Sequence, residues 1–556
     1  MGSIKLPFEP DTNGDRTRQI RSMLPEKLQE ACEEHPFLAD YVHSLPVEDI
    51  GIPDFYPKLT YSVKELAERN LVYAINEGLF VHIFPQPTQE RDLYIPIEPD
   101  TTVDIANLMD DVETELLQWA EDIGGAETRE AKKEKLLEAV DDIVSLNGSK
   151  RKINVTPREY EALKYAIVRD KVGYEVLAPL LLDPYIEDIS CSGIGHIFVE
   201  HKMFKSLQAA IVFPNEEELD EFVIFLGQWV EKPVTVRNPI VDATLPDGSR
   251  INIVYGTDVS RRGSNFTIRK FAGTPPSIFQ LVEWGTLDYM MLAYLSFVIE
   301  EGLNMFVVGA TASGKTTTLN AVTTFEMPDK KIVSIEDTPE LQVPHKNWIR
   351  EVTRESGGDN EGSDVGMFAL LRAALRQRPD RIMVGEIRGV EGAIAFQAMQ
   401  TGHGVMSTFH ASSVQKVIQR LTGEPINIPK SYVDSLDIVL IQSVVKAPGS
   451  SGTVRRVTSI NELVGYDPID RAFSFIKAFD WNPADDTFDF PGHMNSYLLE
   501  EKIAIRRGIP PFKKKAIYTE LKRRAKIFER LHTQRGIKDF YEVFSVFAEA
   551  HRQGLL

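Results

Sequence analysis

The chain has 556 residues, with 62 Lys and Arg against 82 Asp and Glu, for a formal charge of −20. At roughly 150 residues per domain this is room for three or four cores, and an apolar share of 43% before glycine is counted excludes a mainly disordered chain. Two cysteines, Cys32 and Cys191, exclude a disulfide scaffold and a four-thiolate zinc module.

So few cysteines suit a reducing compartment, and a cytoplasmic location is expected. The acidic balance argues against a protein built to grip nucleic acid, whose phosphates need a cationic surface. The first thirty residues carry Glu9, Asp11, Asp15, Arg16 and Arg18 without an apolar core, so no targeting signal is expected. The apolar stretch 290–298 stops at Glu300 and Glu301, short of the roughly 20 residues a bilayer span needs. Membrane contact is therefore expected to be peripheral.

Residues 1–150 form an acidic N-terminal region in which 101–143 holds 13 Asp and Glu against 4 Lys and Arg. Leu136, Leu137, Val140 and Val144 recur as on one face of a helix over 130–144. The acidic run is either a docking surface for basic partners or a solvated face. Residues 151–271 read as a small mixed α/β domain. Thr156 caps a helix, Asp183-Pro184 ends an apolar run, and 240–244 pairs with 251–255 across the turn Pro246-Asp247-Gly248. The segment 272–276 reads as a hinge linker.

From 277 to 446 helices and short apolar strands alternate, with strands at Met305–Val308, 331–335, 381–384, 405–407 and 438–442. That order predicts a mostly parallel sheet with helices on both faces, which binds ligands beyond the carboxyl ends of its strands. The C-terminal region 447–556 contains a basic stretch, 501–535, with 12 Lys and Arg against 3 Asp and Glu. Lys513–Lys515 and Lys522–Arg524 are its densest clusters. They suit either a membrane-associated partner or the plain surface of a basic helix.

The motifs fall where such a sheet would bind a ligand. Gly309, Ala310, Thr311, Ala312, Ser313, Gly314, Lys315 and Thr316 match the phosphate-loop pattern G-x4-G-K-[ST], with Thr317 next in the helix that follows. Glycines let backbone N–H groups converge on phosphate, Lys315 reaches the β- and γ-phosphates, and the Thr316 hydroxyl suits Mg2+. Glu336-Asp337-Thr338-Pro339-Glu340 follows the next strand, where acids can hold metal-bound water or orient an attacking one. The stretch from Arg381 to Glu386 looks like a Walker B strand, with Gly385 where many nucleotide hydrolases place Asp and Glu386 left to hold the Mg2+ shell. His403 and His410 flank one short strand and are candidate phosphate sensors.

Taken in order, the phosphate loop, IEDTPE, the VGE-type Walker B and TGHG…STFHA resemble the secretion ATPase superfamily, which drives type II secretion, type IV pili and the archaellum. GATASGKTTTLNA, SIEDTPEL, LLRAALRQRPD, LLLDPYIEDISCSG and LPDGSRIN are similar to its archaeal branch, over roughly 150–556. The C-terminal stretch 490–554 is most like the archaellum motor ATPases. The resemblance implies an α/β subunit in which a smaller N-terminal domain is hinged to a RecA-like P-loop motor domain with a mainly helical C-terminal region. It implies a homo-oligomeric, hexameric ring that hydrolyses ATP with Mg2+ and works on a polytopic membrane platform protein; the basic stretch suits that protein or anionic lipid, and the acidic balance leaves nucleic acid unexpected as a partner. Glu340 then corresponds to the general base, Glu386 to the Walker B glutamate, His403 and His410 to the histidine box, and Arg250 and Arg269 to the arginines that complete the site. An adhesive-pilus or type II assembly ATPase is the near alternative; a RecA-like nucleic-acid motor and a small-molecule kinase are more distant ones. The four-cysteine zinc insertion of bacterial type II members is missing, and residues 1–150 match no family motif.

Overall fold

The computed structural model describes the chain apart from residues 1, 9–22, 60–62, 64–65, 67–68, 77, 87–88, 127, 147–151, 272, 355–363, 450–451, 471 and 555–556. It divides between Gly273 and Thr274 into two units, each built on its own sheet. The division falls inside the 272–276 segment, of which Ala272 lies outside the described residues. Glu355 and Ser356, which follow the Asp-box stretch, also lie outside them.

In the first unit the strands are β1 (Asp54–Tyr56), β2 (Leu71–Asn76), β3 (Leu79–Phe84), β4 (Leu93–Ile97), β5 (Ile186–Cys191), β6 (Gly195–His201), β7 (Lys205–Phe213), β8 (Ile240–Thr244), β9 (Arg250–Val254) and β10 (Asn265–Arg269). They form one sheet in the order β8-β9-β10-β5-β6-β7-β4-β3-β2-β1, with Ser3–Ile4 added to β7. β4 lies parallel to β7, Leu93 opposite Gln208, so strands from either side of residue 150 belong to one sheet. The runs LVYAIN, LFVHIF and LYIPI place almost every side chain in the core, as strands covered on both faces require.

A polar knot reinforces that join. The buried Asp183 carboxylate accepts the hydroxyls of Tyr73 (2.5 Å) and Tyr94 (2.8 Å), tying β2 and β4 to the turn before β5. The sequence presents Asp183-Pro184 only as a stop signal. The acidic stretch is helical: α1 (Ala106–Leu116), α2 (Arg129–Ile143) and α3 (Pro157–Lys171) meet through Val112, Leu136, Val140, Leu163 and Ile167, leaving most of their acids exposed. Thr156 and Glu159 form a capping box at the start of α3, as its sequence position suggests.

In the second unit a short helix, Ile278–Glu283, precedes α4 (Tyr289–Glu300), which is buried on nearly every side. It is followed by β11 (Met305–Val308), α5 (Lys315–Val322), β12 (Ile332–Glu336), β13 (Trp348–Val352), β14 (Arg381–Ile387), β15 (Gly404–Phe409) and β16 (Ile438–Lys446). The sheet order is β13-β12-β14-β15-β11-β16, all parallel. β11 sits centrally, which explains its unbroken apolar run: all four residues are buried. This is the RecA-like arrangement. Beyond β16 the sheet continues antiparallel through β17 (Thr453–Asp467), β18 (Ala472–Asn482) and β19 (Thr487–Asp489), and the chain ends in helices that include α6 (Ile517–Thr533) and α7 (Phe540–Arg552). Residue 446 thus lies within a hairpin rather than between separate sheets. Among the described residues no helix is long and apolar enough to cross a membrane.

The basic stretch is only partly a surface. Arg524 is 3% exposed and pairs with Glu300 of α4 at 2.5 Å, with Arg507 on the other Glu300 oxygen at 2.5 Å. Lys514 is engaged by Glu500 and Glu501. Lys513 and Lys515 remain exposed beside Phe512, whose side chain is 83% exposed.

Candidate nucleotide site

The loop between β11 and α5 is shaped by what its residues cannot be. A Cβ on Gly309 would lie 2.3 Å from the Gln442 carbonyl and 2.4 Å from Ser313 Oγ, so only glycine fits. Ala312 and Gly314 take φ of +60° and +91°, turning the chain so that successive N–H groups face one concavity. Ser313 Oγ donates to the Ala310 carbonyl at 2.8 Å, closing the loop on itself. Lys315, Thr316 and Thr317 form the first turn of α5, where N–H groups have no acceptor within the helix. Together these make a cradle for phosphate.

Neighbouring strands brace the cradle. The Gln442 amide of β16 accepts the Thr318 hydroxyl at 2.8 Å, and Arg455 Nε of β17 donates to the Ala312 carbonyl at 3.0 Å. Neither residue is apparent as a site residue from the motifs, although Gln442 is a polar residue closing an apolar run. Lys315 Nζ rests 3.1 Å from the Ala310 carbonyl. Partial burial pulls its pKa down, while the carboxylates of Glu386 and Glu340 pull it up and Arg388 pulls it down. Lysine, both acids and Arg388 therefore share one electrostatic environment.

Glu386, half-buried near the end of β14, offers Oε2 to Arg388 Nε at 2.9 Å and Nη2 at 2.5 Å. Glu340 is exposed, but its backbone is anchored: Glu336 Oε1 accepts its N–H at 2.7 Å. Burial pushes the Glu336 carboxyl up to about 7, against the opposing pull of two backbone N–H groups and Arg350. Gly385 is explained by the same residue, since a Cβ there would lie 3.2 Å from Glu336 Cγ. The hydroxyl of Thr316 and the carboxylate of Glu386 are hard oxygen donors of the kind Mg2+ accepts alongside phosphate and water. The donor set fits that ion.

The structure separates the two histidines. His410 follows β15 at its carboxyl end, next to Phe409, whose carbonyl accepts the Gly309 N–H at 3.2 Å. His403 precedes the same strand, about 23 Å away at roughly 3.3 Å per residue, and contacts Thr401 Oγ1 at 3.1 Å. His403 thus lies away from this loop, since parallel strands put only one end of β15 at the site. Arg250 and Arg269, in the first unit, are direct cross-strand partners on β9 and β10, both exposed, with Arg250 3.8 Å from Asp242. Two like charges so placed repel unless an anion or acid lies near.

A parallel sheet with this loop after its central strand, and acids at the tips of two neighbouring strands, defines a phosphate-loop nucleotide-binding domain. The type II/IV secretion system protein family matches residues 170–467, and the chain belongs to that family. An uncharacterised protein of Methanocaldococcus jannaschii is 42% identical over 96% of this chain and 98% of its own length. The type IV secretion system protein VirB11 of Brucella suis is 28% identical over 53% of this chain and 89% of its own. Among solved structures, the pilus retraction motor PilT with bound ADP aligns with 62% of this chain and 87% of its own at 21% identity and a TM-score of 0.37.

Proposed function

We propose that the chain is an Mg2+-dependent ATP hydrolase that turns hydrolysis into mechanical work for a secretion or filament-assembly machine. What carries this reading is the cradle of the phosphate loop with Lys315, Glu340 and Glu386 gathered around it. The loop N–H groups and Lys315 bind and orient the β- and γ-phosphates of ATP. Glu340 takes the proton of the attacking water at its carboxylate. Thr316 and Glu386 would hold Mg2+, which when bound neutralises phosphate charge. His410, beside the loop, is the histidine we assign to sensing phosphate.

The working form we propose is a hexameric ring, cytoplasmic and peripheral to the membrane, engaging a polytopic platform protein. Within the family, the C-terminal resemblance favours the archaellum over adhesive pili and type II secretion. Lys513 and Lys515, beside the exposed Phe512, suit that platform protein or anionic lipid. Arg250 and Arg269 are proposed as the arginines the transition state requires, within such a ring.

Substitution tests the site directly. Lys315→Ala should abolish ATP binding, because it removes a contact to ground-state phosphate. Glu386→Gln and Glu340→Gln should keep binding and lose turnover by about 10²- to 10⁴-fold. A near wild-type rate in either would remove that residue from its role. Stimulation of hydrolysis by single-stranded DNA rather than by anionic vesicles would favour a nucleic-acid motor instead.

A further inference from the structure

A loop that carries a general base must hold it to within an ångström, and here a buried acid holds it together with one amide side chain. Glu336, the last residue of β12, is 1% exposed. Its Oε1 accepts the backbone N–H groups of both Glu340 and Leu341, each at 2.7 Å, so the turn 337–341 closes around a carboxylate oxygen. From the opposite side Asn320, on the phosphate-loop helix α5, donates to the Glu340 carbonyl at 3.1 Å and accepts the Gln342 N–H at 3.0 Å. The Glu340 peptide is thus pinned at both its N–H and its carbonyl, while the side chain is left exposed.

Burying a carboxylate costs several kcal/mol unless it is well partnered, and a surface turn could be closed by Asn or Ser. Glu336 Oε2 accepts no hydrogen bond among the described residues and lies 3.7 Å from Arg350 Nε. The tip of β14 gives way to it as well, through Gly385. Strand β12 through Glu336 and the phosphate-loop helix through Asn320 therefore hold the same turn, while the tip of β14 makes room for the acid.

We infer that Glu336 is a positioning residue: its carboxylate fixes the Glu340 backbone and so the place from which Glu340 meets the attacking water. This rests on the general-base role proposed for Glu340. A base displaced by about 1 Å loses on the order of a hundredfold in rate, so the clamp acts on turnover rather than on binding.

The test is a double-mutant cycle in the full chain, reading single-turnover ATP hydrolysis, steady-state kcat and KM, binding of a fluorescent ATP analogue, and the thermal midpoint. Glu336→Ala should lower kcat about 10- to 100-fold with KM and analogue binding within about twofold. Glu336→Gln, which keeps an acceptor oxygen, should recover most of that loss. In the Glu340→Gln background, Glu336→Ala should cost nothing further, because a clamp has no effect once the group it aims is gone. If Glu336→Ala does not fold, Glu336→Asp, whose shorter arm withdraws from both N–H groups, carries the same expectations. An equal loss in both backgrounds, no recovery in Glu336→Gln, or a raised KM with unchanged kcat would each overturn the inference. A Glu340→Gln chain that turns over at the wild-type rate would instead remove the base itself.

Discussion

Gly309 and Gly385 are glycines for different physical reasons. At Gly309 the obstacle is a backbone carbonyl of β16, which cannot move; at Gly385 it is the Cγ of a buried side chain, which would have to yield by a few tenths of an ångström. The first was legible in the phosphate-loop pattern, whereas the second reads from sequence only as a departure from the usual acid. His82 shows what no motif reveals. Buried, with Nδ1 2.9 Å from the Tyr41 hydroxyl and Nε2 2.8 Å from Asn70 Oδ1, it is held neutral, and burial pulls its pKa down to about 3. Between pH 6.5 and 3 the unfolded chain binds a proton that the folded chain refuses. The stability this group contributes is therefore complete above pH 6.5 and lost as pH falls. The destabilisation caused by His82→Gln, read as hydrogen-exchange protection of β3 in the full chain, should be largest above pH 6.5 and shrink toward pH 3. A pH-independent difference would show that His82 is not the group titrating.

At the scale of elements, the sequence anticipated the five central strands of the second unit within a few residues, because buried parallel strands are written as uninterrupted apolar runs. β13 escaped because it is an edge strand, half-exposed and carrying Arg350 and Glu351. β2 to β4 escaped for another reason: the acid content of the surrounding 1–150 region obscured three short runs, of which β4 finds its second partner, β7, more than a hundred residues later. That His403 and His410 lie at opposite ends of β15 follows from their spacing, and the parallel order tells which end meets the loop. The basic stretch divides along the same line between composition and contact. Arg524→Ala should cost about 1–3 kcal/mol, since buried Glu300 loses one of its partners and keeps Arg507. Lys513→Glu with Lys515→Glu should leave the melting temperature and basal ATPase rate nearly unchanged while weakening salt-sensitive membrane association. Equal thermal losses in the two variants would mean that the exposed lysines also serve the fold.

The molecule as a whole is two units, each with its own sheet and core. Arg250 and Arg269 face solvent on the first, and the nucleotide cradle belongs to the second. If the arginines serve hydrolysis in a ring, Arg250→Ala and Arg269→Ala should each keep ATP binding and lose turnover, toward the roughly 10³- to 10⁵-fold that such arginines supply elsewhere. Specific activity should also climb with protein concentration in step with the sedimentation coefficient. Full activity in a sedimenting monomer, with both variants unimpaired, would refute a shared site.

β17 gives the second unit a mechanical member. At Arg455 it grips the phosphate loop; seven residues on, roughly 23 Å away at 3.3 Å per residue, Glu462 accepts the Tyr294 and Ser496 hydroxyls and the Leu498 N–H, anchoring α4 and the start of the C-terminal helices. Between these two grips β17 is paired with β16 throughout but with β18 only from Ser459 on, and a bulge at Thr458 breaks the register. A strand so built acts as a push-rod with a bend in it, able to deliver at one end no more than the displacement it receives at the other. A shift of the loop on phosphate entry would therefore reach the C-terminal helices without gain, and any larger stroke must be generated outside this strand.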